Sequence, residues 1–97
     1  MLFELGHVVA TNGVAMRMRR DPKFAEGVER SLRRHSTGDW GDLEPEDKEM
    51  NDAALEAERN GEYSDSLFSL YNIDGVEIYI ITEVDRSATT VLFPEEY

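Results

Sequence analysis

Leu67-Phe68-Ser69-Leu70-Tyr71-Asn72-Ile73, Asp74-Gly75 and Val76-Glu77-Ile78-Tyr79-Ile80-Ile81-Thr82-Glu83 form the stretch that decides the fold. Two runs rich in β-branched and aromatic residues flank two residues that tolerate positive φ, the strongest short-range signal of a hairpin. Alternation along the second run puts Val76, Ile78 and Ile80 on one side of a sheet and Glu77, Tyr79 and Ile81 on the other. A turn at Val84-Asp85-Arg86-Ser87 leads into a third strand from Ala88 to Phe93, which Pro94 stops. Strands joined in this way make an antiparallel meander.

Upstream of the meander the period changes from two to that of a helix. Asp21-Pro22 opens one, because Asp caps a helix and Pro is tolerated at its first position. Phe24, Val28 and Leu32 then recur at i, i+4 and i+8, opposite Lys23, Glu26, Glu29, Arg30, Arg33 and Arg34. Arg33, Arg34 and His35 fall in the last turn, at the negative end of the macrodipole. Before this helix, Leu5 to Ala10 reads as a short strand or an extended entry segment, and Thr11-Asn12 supplies capping oxygens for a first helix over Gly13 to Arg20.

After it, His35 to Leu43 is a loop carrying Trp40 between two glycine–aspartate pairs. Pro45 with Glu44, Glu46 and Asp47 opens a further helix that Asn60-Gly61 ends. Met50, Ala54 and Ala57, with Ala53 alongside, give that helix a thin apolar face. The expected fold is α+β and a single domain over residues 1–97. Two to three N-terminal helices pack on a C-terminal three-stranded antiparallel meander, and the N-terminal segment is available as a fourth strand. Phe24, Val28, Leu32, Met50, Ile78, Ile80, Val91 and Phe93 are the expected core.

At 97 residues the chain has room for one core, burying roughly two-thirds of its unfolded surface. The absence of cysteine removes disulfides, thiol catalysis and thiolate metal sites, and fits a reducing, cytoplasmic setting. The longest apolar run, Ile78 to Ile81, is far short of a membrane span, and the first residues carry no basic flank, so neither export nor insertion is expected.

Charge is the strongest compositional signal. The net value is −11, and Asp39 to Asp65 holds eleven acids against Lys48 and Arg59. Met1 to Arg34 is net positive by contrast, with seven basic and four acidic residues. A protein this negative repels nucleic-acid phosphates and anionic membranes and is drawn to basic protein surfaces such as nucleic-acid-binding grooves.

The residues offer no convergent chemistry. His7 and His35 lack the helical spacing that aims two ligands at one metal, and the acids around Trp40 lack the alternation and closing Glu of a calcium loop. His35 and Ser36 are sequence neighbours without an orienting acid, and no glycine loop followed by Lys and Ser or Thr is present to cradle phosphate. No catalytic residue, cofactor or metal ligand is therefore expected. The arginines at 17, 19, 20, 30, 33 and 34 read as a solvated face with i,i+4 partners such as Glu26–Arg30 and Glu29–Arg33. Trp40 is more often a plug closing the core than an interface anchor. The candidate partner-binding set is Asp39, Trp40, Asp42, Glu44, Glu46, Asp47, Glu49, Asp52, Glu56 and Glu58, in a monomer or a homodimer.

Three segments carry a family resemblance: Gly6-His7-Val8-Val9-Ala10-Thr11 with Gly13-Val14, Arg34-His35 through Gly38-Asp39-Trp40-Gly41-Asp42-Leu43, and Ile80 through Tyr97. They resemble small proteins of plasmids, integrative conjugative elements and phages of gut bacteria, commonly labelled plasmid-related or as a type I restriction enzyme subunit. A chain of 97 residues holds neither a methyltransferase domain nor its cofactor loop, so that label cannot denote this activity here. The chain departs from the family mainly in the Arg-rich first helix and in Glu56 to Asp65. The resemblance implies a mobile-element accessory protein, and such elements often carry acidic anti-CRISPR or antirestriction inhibitors of host nucleases. The implied partner is a CRISPR-Cas effector or restriction enzyme with a basic groove. The alternative is an adaptor or regulator of the element, binding a transcription or transfer factor through the sheet or the Trp40 loop.

Overall fold

The computed structural model describes residues 1–97. A first strand, β1 (His7–Ala10), is followed by α1 (Asn12–Arg20), α2 (Pro22–Ser36) and α3 (Pro45–Arg59). Then come β2 (Leu67–Ile73), β3 (Val76–Thr82), β4 (Ala88–Leu92) and a closing 3-10 turn (Pro94–Glu96). The sheet order is β1-β4-β3-β2, antiparallel across the meander and parallel between β1 and β4. The fold is α+β, and the N-terminal segment does supply a fourth strand. It runs parallel because three helices lie between it and the meander, long enough a connection to bring the chain back in the same direction.

Local chemistry explains each element. Asp74 and Gly75 both take positive φ, 51° and 89°, and the Gly75 N–H donates to Asn72 Oδ1 at 2.8 Å, closing the hairpin. Asp21 caps α2 by accepting from the Phe24 N–H at 3.2 Å, and Thr11 caps α1 by accepting from the Val14 N–H. Thr11 also donates to Glu96 Oε1 at 2.6 Å, so the last turn of the chain places a carboxylate at the positive end of α1. That bond, with others from the Phe93 and Gly13 N–H groups, holds the Glu96 carboxyl below its ordinary pKa.

One face of the sheet forms the main core. Tyr71, Ile73, Ile78, Ile80 and Val91 pack on Val14, Phe24 and Val28, with Leu32 and Phe93 half-buried at its margin. A second cluster joins Phe3, Trp40, Ala54, Leu55 and Leu67. Met50 is not part of either; it is 65% exposed. The reason lies next to it. Asn51 donates its side-chain amide to the Phe68 carbonyl at 2.7 Å and accepts from the Phe68 N–H at 3.1 Å, and this pair of hydrogen bonds to the edge of β2 sets the rotation of α3. Asn51, Ala54 and Leu55 therefore turn inward and Met50 outward.

The outer edge of β2 is closed further by the Trp40 loop. Leu70 accepts from the Asp42 N–H at 2.7 Å and donates to the Trp40 carbonyl at 3.3 Å. Gly41 makes this bridge possible: it sits at φ 77°, and a Cβ there would overlap the Leu70 carbonyl. No helix is long and apolar enough to cross a membrane.

Candidate protein-binding surface

The structure divides the candidate set in two. Trp40 is 3% exposed, its ring stacks on Phe3, and its Nε1 donates to Asp52 Oδ1 at 2.9 Å. It plugs the core. Asp39 accepts two bonds from Arg34, at 2.7 and 3.2 Å, and one from the Gly41 N–H. The Arg34 bonds hold its carboxyl below the usual range. Its carbonyl accepts from the Tyr71 hydroxyl, whose pKa burial pushes up to about 12. Asp39, Trp40 and Asp52 thus build the loop and its seat.

Glu56 pairs with Arg59, and Glu58 with Arg86 at 2.7 Å. The other two ion pairs are Arg17–Asp21 and Arg34–Asp39, and the expected Glu26–Arg30 and Glu29–Arg33 pairs do not close. Such exposed pairs gain too little to hold two long side chains in one geometry. Asp42, Glu44, Glu46, Asp47 and Glu49 are exposed and in no ion pair. These five carboxylates are concentrated at the first two turns of α3 and the loop before it, with Lys48 the one cation among them. Glu49 and Glu56 share one side of α3 at i, i+7, and Met50, Ala53 and Ala57 run beside them at i, i+3 and i+7. This apolar strip lines a shallow groove of about 300 Å³, to which Tyr63, 83% exposed, also contributes.

Two further constellations were not legible as sites. His35 is fully buried between the helices and the sheet, with Nδ1 2.6 Å from Ser69 Oγ and Nε2 2.9 Å from Thr82 Oγ1. Thr82 and Thr89 hydroxyls lie 2.7 Å apart, and Thr89 donates to the Leu5 carbonyl at 2.7 Å. Each hydroxyl has one proton, so the direction of the chain is determined. Thr89 gives its proton to Leu5 and must accept from Thr82. Thr82 must then accept from His35, which makes Nε2 the protonated nitrogen, and Nδ1 accepts from Ser69. Burial lowers the His35 pKa to about 4, with the positive charge of Arg86 adding to the effect. The Ser69–His35 spacing is that of a nucleophile and base, yet Ser69, His35, Thr82 and Thr89 are all buried from solvent. The available signal was alternation: Ser69, Thr82 and Thr89 fall on the inward side of their strands, where hydroxyls call for a buried polar partner.

Arg86 is the second. It occupies the left-handed region at φ 61°, and its guanidinium reaches Glu58 Oε1 (2.7 Å), Ser64 Oγ (2.9 Å) and the carbonyls of Asp65 (2.8 Å), Glu83 (3.0 Å) and Val84 (3.3 Å). It fastens the β3–β4 turn to the end of α3. No three His, Asp or Glu side chains are grouped so as to hold a metal ion.

Comparison with protein-family models, with curated proteins and with solved structures returned no match. The functional reading therefore rests on the surface itself and on the sequence resemblance.

Proposed function

We propose that the chain is a non-enzymatic, acidic counter-defence protein of a mobile element, binding a host nuclease complex such as a CRISPR-Cas effector or restriction enzyme. The observation that carries the reading is the set of open carboxylates Asp42, Glu44, Glu46, Asp47 and Glu49, which the fold leaves without internal partners. Repulsion among these like charges, a few tenths of a kcal/mol per pair, offsets part of what they gain at the positive end of α3. A basic groove that normally holds nucleic acid would relieve that repulsion and gain complementary contacts. Within the candidate set, Asp39, Trp40, Asp52 and Glu58 support the surface rather than form it.

The experiment is tagged capture from nuclease-treated host lysate with elution in salt steps. One CRISPR or restriction component, released at moderate salt, supports the reading and names the target. Recovery of only a transcription or conjugation factor that resists salt favours the second reading, an adaptor of the mobile element. That reading draws on the sheet face turned away from α1 and α2, where Phe68, Tyr79 and Tyr97 cluster with ring centroids 4.7 to 6.2 Å apart.

A further inference from the structure

Between α3 and the start of β2 lies a cleft of about 310 Å³ whose lining includes Leu43, Asp47, Met50, Asp65, Phe68 and Tyr97. Its walls are of two kinds. Leu43, Met50, Phe68 and Tyr97 are apolar or aromatic, and the only charges are the carboxylates of Asp47 and Asp65, neither of which is in an ion pair. Asn51 and Ser66 also reach the cleft; the Asn51 amide is used in both directions on the Phe68 backbone, and the Ser66 hydroxyl, in no hydrogen bond, can donate or accept. The polar capacity left for a ligand is therefore two negatively charged acceptors and one neutral hydroxyl. Tyr97 is 80% exposed and Met50 65%, so two large side chains stand open at the rim with nothing in the fold to cover them.

We propose that this cleft takes an arginine side chain presented by a basic segment of a partner protein. An arginine has an aliphatic stem suited to Leu43 and Met50, a planar guanidinium that stacks on aromatic rings, and a fork of donors that a carboxylate accepts in pairs. A phosphate or carboxylate ligand would meet two like charges, and a purely apolar one would strip water from both carboxylates without replacing it. A lysine satisfies the charge but not the stacking or the fork. The proposal rests on the reading of the acidic surface as a protein-binding one and sharpens it: recognition has a shaped anchor point as well as a diffuse field.

The test uses the ¹⁵N-labelled full chain titrated at low salt with acetylated tetra-arginine amide and, separately, tetra-lysine amide. Tetra-arginine should bind several-fold more tightly and shift the amides of Asp47, Met50, Phe68 and Tyr97. Asp47→Asn with Asp65→Asn should weaken it about tenfold, the scale of losing charge-assisted hydrogen bonds. Glu46→Gln with Glu49→Gln, the same change in net charge but on α3 outside the cleft, should weaken it about twofold or less. Asn at 65 keeps the oxygen that accepts from the Ser66 N–H, so the loop is preserved. The exposed Tyr97→Ala gives an independent variant that does not touch the core. Equal losses from both charge pairs, or equal affinity for the two peptides, would overturn the cleft and leave the acidic surface standing. Failure of wild-type chain to bind either peptide would overturn both.

Discussion

Acidification from pH 7 to pH 5 should weaken the fold by about 2 kcal/mol through His35 alone. The imidazole is neutral and fully buried in the folded chain, with a pKa lowered from 6.5 to about 4, whereas the unfolded chain exposes it. A group with a depressed folded pKa stabilises fully above its unfolded value and loses that contribution as pH falls toward the folded one. The window is therefore 6.5 down to about 4, and the full effect across it is about 3 kcal/mol. At pH 5 the unfolded histidine is almost entirely charged while the folded one is about one-tenth charged, which gives the 2 kcal/mol.

Protonation is costly for a second reason. An imidazolium needs an acceptor at Nδ1, and the Ser69 hydroxyl would have to reverse its bond to provide one. Urea unfolding of wild type and His35→Gln at pH 7, 6 and 5 measures the effect. The Gln variant should be less stable at pH 7 by about 2 kcal/mol, because it loses the ring contacts with Phe3 and Trp40, yet the gap should close by pH 5. Taking the difference between the two proteins cancels the opposite influence of acidification, relief of repulsion among the 21 acidic residues. Asp21, Asp39, Asp85 and Glu96, whose carboxyls are held below the usual range, lose their contribution lower in pH with the same sign. A gap that stays constant from pH 7 to pH 5 would refute the buried neutral imidazole.

Arg86→Ala removes five hydrogen bonds from a side chain that is 9% exposed and should cost about 3 kcal/mol in urea unfolding, with Arg86→Lys intermediate because it keeps the charge without the fork. Asn51→Ala leaves the Phe68 N–H and carbonyl unpaired, and should destabilise by about 2 kcal/mol and raise hydrogen exchange at Phe68. Gly27→Ala would set a methyl 2.5 Å from Ile73 Cγ2 and should cost about 1–3 kcal/mol, read as a lower melting temperature. Glu49→Gln should leave stability unchanged or raise it by a few tenths of a kcal/mol while weakening target binding, since it relieves repulsion on α3.

The hairpin was legible because Asp74-Gly75 carries its geometry locally, and the α2 stripe because Phe24, Val28 and Leu32 repeat with the helical period. Pairing of β1 with β4 could be anticipated as a fourth strand, but not its direction or partner, which depend on residues some eighty positions apart. Met50 misled because it lines up with Ala53, Ala54 and Ala57, whereas the helix is oriented by a polar residue, Asn51, bonding across to β2, which turns Leu55 inward instead. His35 and Arg86 were hidden for the same physical reason. His35 finds its partners on β2 and β3, and Arg86 finds Glu58 on α3 and Ser64 and Asp65 beyond it, and no spacing rule within one helix or strand brings such groups together. The acidic surface was readable as composition. Which acids are free and which are structural depended on Trp40 turning inward and on Arg34, Arg59 and Arg86 finding their partners.

The most direct measurement is the affinity of the captured nuclease for wild type and for the variant Glu44→Gln, Glu46→Gln, Asp47→Asn, Glu49→Gln across a salt series, with nucleic acid as competitor. If the open carboxylates of α3 occupy a basic groove, nucleic acid competes, wild-type binding weakens steeply with salt, and the variant folds normally but binds far more weakly with a shallower salt dependence. Undiminished binding by the variant, with the same salt dependence as wild type, would contradict that occupancy.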